Sequence, residues 1–508
     1  MGPASDYKFI AVDAVQGTFL PASKAVRSHA IRTAIQRGES ELGASTALIS
    51  QGTIRDKAHL RGRFRLAGTA VKPKNPKNQR RKDATGPDAP PDIHDLLIQV
   101  SLPPWIQRLG SDSADPFNTL PIPSSPSVDA LVRYFTTRFN LNSTTTDNKR
   151  PWFPYAMQSA LIMRTTLALS AEFLAASMPS PDLTLQREGY LQKGEAMRML
   201  RNRLETRETA KRAGDDLSVL AGVAMLSSVE AFQGNFAAAE THLTGLHAMI
   251  MARGGPDTIR HDYILCRSIN WMSLQVASGL GRVPKLPMFH TLDQVSLPSS
   301  VVSRAATPSL RHLDRLAGHG PDEGKEPRRI FTTLRQAICS QAGGVAADDI
   351  RIVMNTADNA ILHFLYAERR TTATPVQKRF IVLVSAAHVF LYTVLREIPT
   401  TGHMARILVA RVRAALEDAD AIALVWVSHD AALLWILFVG VVGSGTAEDR
   451  AWFLSRLLEA LERARDVLPP ERRTRENLQQ VLASFLWRDK SCLPVLDDAW
   501  ALRERSIT

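Results

Sequence analysis

The chain has 508 residues, 45% hydrophobic and 22% charged, which is ordinary globular composition with enough apolar content for a large core. Its three cysteines, Cys266, Cys339 and Cys492, are far apart and in no CxxC or CxH pattern, so a disulfide framework and a cysteine zinc cluster are both unsupported. The formal charge is +12, but residues 1–90 hold 16 Lys/Arg against 7 Asp/Glu, a surplus of nine, which leaves only +3 for the remainder.

Residues 1–90 read as a basic, largely disordered arm. Phe9-Ile10-Ala11-Val12 could form a short strand or a docking peptide, and Val26–Arg32 a small basic helix. No secretory signal pattern opens the chain. Lys72, Lys74, Lys77, Arg80, Arg81 and Lys82 form a dense cationic run with two prolines and no apolar residue, which cannot fold alone. Such a run reads either as a nuclear-import or phosphate-contact segment or as a merely solvated tail. Residues 91–127 are proline-rich and read as an extended segment laid on the body by Trp105, Phe117 and Ile122.

From 128 to 508 the apolar spacing is helical. Low aromatic content and abundant Ala and Leu also favour helix over sheet, and no alternating run argues for a strand. Helices are expected near 128–139, 153–177, 184–208 and 258–280. The stretch 284–328, rich in Pro, Ser and Gly, reads as a loop or sub-boundary. Helices resume near 328–341, 347–370, 376–397, 403–424, 429–442, 447–465, 470–487 and 494–504. The apolar run Ala431–Val442 is shorter than the ~20 residues a spanning helix needs and reads as a core helix.

The clearest unit is a hairpin over Asp216–Pro256. In its first arm Val219, Val223, Leu226 and Val229 fall on one helical face. In its second arm Phe236, Ala239, Leu243, Leu246 and Ile250 form one stripe. Gly234 can take the positive φ that ends the first arm, and Asn235 can cap the second through its side-chain oxygen. Arg253-Gly254-Gly255-Pro256 is a strong stop, and so short a connection makes the arms antiparallel.

Chemical constellations are near misses. Gly318–Glu326 has a glycine out of register for a phosphate loop and a glutamate where the magnesium-binding Ser/Thr belongs. Gly279-Leu280-Gly281 lacks a third glycine, and Gly443-Ser444-Gly445 lacks the spacing of a nucleophile elbow. His242 and His247 point to different helix faces, so they read as ordinary helix histidines rather than a metal pair. Glu230 reads as a solvated or capping charge. Trp426, Trp435 and Trp452 crowd the C-terminal third; at helical spacing they read as core, with a ligand pocket between helices as the alternative.

Several pieces together carry a family resemblance. They are Phe9–Asp13 with Arg27, Ser28, His29 and Arg32; Asp115-Pro116-Phe117 through Pro121-Ile122-Pro123; and Lys193-Gly194-Glu195-Ala196. Next come Gly234-Asn235 with His242-Leu243, Gly245-Leu246, Met249-Ile250 and Arg253-Gly254-Gly255. Last are Leu434-Trp435, Leu437-Phe438, Gly440, Arg450, Trp452-Phe453, Phe485-Leu486-Trp487 and Cys492. In this order they resemble the fungal-specific transcription factor family, in the branch with an RSHxMR-type N-terminal motif. The resemblance implies an all-helical regulatory domain of the kind that follows a six-cysteine binuclear zinc cluster. No cysteine precedes Cys266, so that cluster and its direct reading of DNA bases are not expected.

The reading is therefore an all-α array of antiparallel helical hairpins. Its expected role is that of a non-enzymatic nuclear transcription regulator, shuttling or resident, that works through protein contacts as a homo- or heterodimer. DNA contact would be indirect or non-specific, through the arm. No cofactor, metal, catalytic residue or membrane partner is expected. A cytosolic helical scaffold and a small-molecule-sensing helical domain remain the alternatives.

Overall fold

The computed structural model describes residues 119–138, 152–178, 182–205, 216–306, 311–317, 323–367, 374–417 and 429–507, together with Ser180 and Trp426. Among the described residues there are 17 α-helices and no strand, so the all-α expectation holds. The basic arm and most of the proline-rich segment lie outside the described residues. Of that segment, Thr119–Ser125 is described, and Ile122 is buried against the helices.

The first helices are α1 (Pro126–Arg138), α2 (Trp152–Ala156), α3 (Ala160–Ser177) and α4 (Leu183–Leu204). The single helix expected over 153–177 is broken at Met157–Ser159, where Ser159 is extended. The break folds α2 back, so that Trp152 Nε1 donates to Thr166 Oγ1 of α3 at 2.9 Å in the core. Asp182 starts α4 by accepting from the Thr184 and Leu185 amides, two donors that a helix leaves unsatisfied at its start.

The hairpin follows as α5 (Leu217–Phe232) and α6 (Phe236–Ala252). Asp216 caps α5, and Gly234 takes φ 82° at the turn as its lack of Cβ allows. Asn235 does not cap α6 through its side chain; its Nδ2 instead donates to Glu230 Oε2 at 3.0 Å. Gly254 and Gly255 both take positive φ at the end of α6. The stripe expected on α6 is the one buried. On α5 the single face is wrong: every residue from Val219 to Phe232 is buried, because α3, α6 and α7 pack around it.

Helix α7 (Tyr263–Leu280) is capped by Asp262, which also accepts from Tyr155 Oη at 3.0 Å. It ends on Gly281 in the left-handed region. The stretch 284–328 holds two short helices, α8 (Ser299–Ala306) and α9 (Arg311–Ala317). Val301 and Ala305 of α8, and Leu313 and Leu316 of α9, are buried; α8 packs on α10 and α9 on α12.

The remaining helices are α10 (Lys325–Ala342), α11 (Ala347–Tyr366), α12 (Pro375–Phe390), α13 (His403–Glu417), α14 (Asp430–Gly443), α15 (Ala447–Arg463), α16 (Arg475–Ala483) and α17 (Asp489–Ile507). Thr374 and Gln377 form a capping box with Pro375 at the first turn of α12. That helix runs on into a π turn, Leu391–Leu395. The helix α17 begins five residues earlier than expected and carries Pro494 inside it. The buried row Cys492, Leu496 and Ala499 extends the apolar face back past the proline.

Consecutive helices pair as antiparallel hairpins, α3 with α4, α5 with α6, α10 with α11 and α14 with α15. Helix α7 reaches beyond its neighbours to α11 and α13, and α12 sits among α11, α13 and α14. The segments Ala160–Ser177 and Pro375–Leu395 are long and apolar enough to cross a membrane, but 67% and 72% of them are buried inside the helical body. The helix α14, over the apolar run near 431–442, is likewise buried.

Candidate ligand cleft and protein-contact face

Helices α7, α11 and α12 enclose a polar network. Asp358 of α11 accepts from His388 Nε2 (3.0 Å) at Oδ1, and from Tyr392 Oη (3.0 Å) and Arg396 Nη1 (2.7 Å) at Oδ2. Arg396 Nη2 donates to Asn355 Oδ1 at 2.9 Å. Ser278 Oγ of α7 lies 3.1 Å from His388 Nε2 and 2.9 Å from Tyr392 Oη. Burial acts to raise the Asp358 pKa, but the Arg396 charge and the His388 and Tyr392 hydrogen bonds outweigh it and hold the carboxyl below its usual range. Burial, reinforced by the Asp358 charge, pushes the Tyr392 phenol up.

Ser278, His388 and Asp358 are the residue types of a nucleophile triad, yet their geometry is not that of one. The Asp358 carboxylate and the Ser278 hydroxyl both approach the same ring nitrogen, Nε2. A triad base needs its orienting carboxylate on the other nitrogen. All three side chains are also sealed from solvent. The network is structural: it joins α7, α11 and α12 through one buried, hydrogen-bonded ion pair.

Its outer side faces a cleft of about 620 Å³. Arg267 and Trp271 come from adjacent turns of α7, and Gly344–Ala347 from the entry to α11. Leu395, Arg396 and Glu397 come from the end of the π turn, and Arg488 and Lys490 from the start of α17. The Arg396 guanidinium lies 4.6 Å from the Trp271 ring centroid and 4.8 Å from that of Tyr392, so the cleft floor rests on the buried network. Asp348 is shared by Arg267 (3.1 Å) and Arg351. Glu397 is shared by Arg488 (2.8 Å) and Lys490 (3.0 Å). Burial tends to raise the Glu397 pKa, but the Lys490 and Arg488 interactions bring it below the usual carboxylate range. Among the described residues Glu397 is the one non-glycine with positive φ, 52°.

A second feature lies on α4. Leu183, Tyr190, Met197 and Leu204 are spaced by seven and all exposed, and Leu191 lies beside Tyr190. The period of seven keeps them on one side of a helix. Gly194, between Tyr190 and Met197, has open space where a Cβ would point. Arg187, Arg198 and Arg201 are exposed with this stripe, Arg198 being paired with Glu195 at 2.7 Å. The opposite face of α4 is held to the body by buried Leu185, Gln192, Ala196 and Leu200.

The residues singled out from sequence are placed differently. Lys72, Lys74, Lys77, Arg80, Arg81 and Lys82, and Arg27, Ser28, His29 and Arg32, lie outside the described residues. Trp435 is core, stacked on Phe485 with its Nε1 donating to Leu486 O at 3.0 Å. Trp426 is also buried, and Trp452 is covered by the Arg456 guanidinium 3.8 Å from its ring centroid. None of these three tryptophans lines the cleft, whose aromatic is Trp271. Glu230 is neither solvated nor capping: it is buried and paired with Lys193 at 2.7 Å. His242 is half-buried, with its pKa lowered by that burial, and His247 is exposed. The cleft leaves little local signal in the sequence, because its residues lie on segments more than two hundred positions apart.

Residues 131–294 match the model of the fungal specific transcription factor domain. The match runs from within α1 through α7 and includes α4 and the α5–α6 hairpin. It therefore covers the middle group of the motifs quoted above, while the groups near 9–32, 115–123 and 434–492 fall outside it. The match points to a transcription regulator, and the family is not an enzyme family. No curated protein and no solved structure matches the chain.

Proposed function

We propose that this protein is a transcription regulator that acts in the nucleus through contacts of its helical body with another protein, not through catalysis. The observation that carries the reading is the exposed heptad row of α4, which lies inside the stretch matching the fungal specific transcription factor domain. An apolar row along the exposed side of one helix is a surface that a partner helix can cover. The partner that fits is an amphipathic helix with acidic flanks. Its apolar residues would cover Leu183, Tyr190, Met197 and Leu204, and its carboxylates would meet Arg187 and Arg201. Charge argues against a second copy at this face. In a parallel pairing Arg187 would face its own equivalent, and in an antiparallel pairing centred near Gly194 it would lie beside Arg201.

The basic run over 72–82 supplies nuclear import or loose phosphate contact in this reading. The 508 residues hold three cysteines, so base-specific reading by a six-cysteine cluster is not among their functions. The test is chromatin occupancy of the tagged full-length chain beside two variants. One has Lys72, Lys74, Lys77, Arg80, Arg81 and Lys82 changed to Gln; the other has Tyr190 and Met197 changed to Ser. Discrete occupied sites, reduced in both variants, are expected. A chain that stays in the cytosol and never reaches chromatin would overturn the reading in favour of a helical scaffold.

A further inference from the structure

We propose that the cleft between α7, α11, the π turn of α12 and α17 binds a small organic anion with a flat apolar body. The inference stands apart from the transcription reading, since it concerns what the purified chain binds.

Arg267, Arg351, Arg396, Arg488 and Lys490 line the cleft, and three carboxylates answer them: Asp348, Glu397 and Asp358. Five cations against three anions leave a positive surplus. Two of those carboxylates are each divided between two cations, so an incoming carboxylate or phosphate meets donors with charge to share. A cleft of about 620 Å³ falls in the range of small-molecule sites, roughly 300–1,000 Å³. Trp271, Ile350, Met354 and Leu395 supply an apolar lining for a flat body, while the cations fix its charged end.

The rim of the cleft carries backbone strain. A non-glycine residue at φ 52° is strained and is held only where surrounding contacts over-determine it. Here that residue is Glu397, whose carboxylate places Arg488 and Lys490 at the mouth. The π turn just before it is the kind of helix irregularity found often at functional sites. Occupancy would join α7, within the family-matched stretch, to α11, α12 and α17 beyond it.

The test is equilibrium binding of 2-naphthoate, 1-naphthyl phosphate, neutral 2-naphthamide and inorganic phosphate to the purified full chain. We expect one site per chain for at least one of the two aromatic anions, and the better headgroup tells carboxylate from phosphate. The amide and inorganic phosphate should each bind about tenfold more weakly or worse, the loss of one charge-assisted bond or of the apolar contact. Lys490→Gln, an exposed change at the mouth, should weaken the anion by up to about tenfold. Ala347→Phe should block the cleft. Thermal melts report whether Ala347→Phe folds, and Lys490→Gln decides the matter if it does not. No binding of either aromatic anion at millimolar concentration would overturn the proposal. So would equal binding of the amide, or affinity unchanged in both variants.

Discussion

Arg396 donates to Asp358 at 2.7 Å, where Asp358 is fully buried and the guanidinium, nearly so, lies against Trp271 at the cleft floor. The pair is the joint between the inner polar network and the cleft. Asp358→Ala would leave a buried guanidinium without its counter-charge. Removing one partner of a buried pair typically costs about 3–5 kcal/mol. We expect a loss of that order in urea or thermal unfolding, and a smaller loss for the double change Asp358→Ala with Arg396→Met, which leaves no charge stranded.

The same carboxyl sets an acid limit. Asp358 is held below its unfolded value of about 3.9. Its stabilisation is therefore complete above that value and is lost as pH falls through the lower folded pKa. Glu172 behaves in the opposite sense. Burial raises its pKa against the Gln233 hydrogen bond and the Lys193 charge. What it contributes is present below the unfolded value of about 4.3 and is lost as pH rises through the folded one. Glu172→Gln should melt at the wild-type temperature or higher at pH 7, and this advantage should vanish near pH 4.

Helix α6 divides neighbouring residues sharply. Leu246 is fully buried and His247 is exposed. Leu246→Asp should unfold this region, since an unpaired charge would sit in the core. His247→Ala should stay within about 0.5 kcal/mol of wild type in denaturant titration.

Gly279 lies under the ring of Phe236, with no room for a Cβ. Gly279→Ala should cost about 1–3 kcal/mol, because the whole aromatic side chain must shift within a packed core. Adding Phe236→Leu should recover part of that loss.

The α4 face gives the reverse pattern. Tyr190→Ser and Met197→Ser alter exposed side chains, so the melting temperature should hardly move. Association with an acidic amphipathic helix should nonetheless fall by about tenfold or more, as expected when anchor residues are lost. A purified chain that dimerises through this face, with both serine changes abolishing the dimer, would instead show that the partner is a second copy.

Cys266 and Cys492 are buried, and burial pushes their thiols up to about 12 and about 11. Thiolate, not thiol, is the reactive form. Both should resist alkylation in the folded chain at pH 8 and react only on unfolding, read by mass spectrometry of labelled peptides.

Much of this architecture is local and could be read from the chain alone. The helical class, the turn at Gly234, the stop at Gly254-Gly255 and the buried row of α6 all follow from spacings of three and four and from the backbone freedom of glycine. What spacing could not give was which helices would be surrounded. Nothing in the order of residues along α5 says that α3, α6 and α7 close around it, so a one-sided stripe was expected where every side is buried. Asn235 likewise has the right chemistry for a cap, but the buried Glu230 beside it takes its amide instead. The cleft and the network were decided by tertiary structure alone. Ser278, Asp358 and His388 come from three helices and Arg396 from the end of the π turn, and Arg267 and Lys490 lie more than two hundred positions apart. Local periodicity records which face of a helix is apolar. It carries no record of which distant cation that face will meet, because that depends on how the helices pack once the chain has folded.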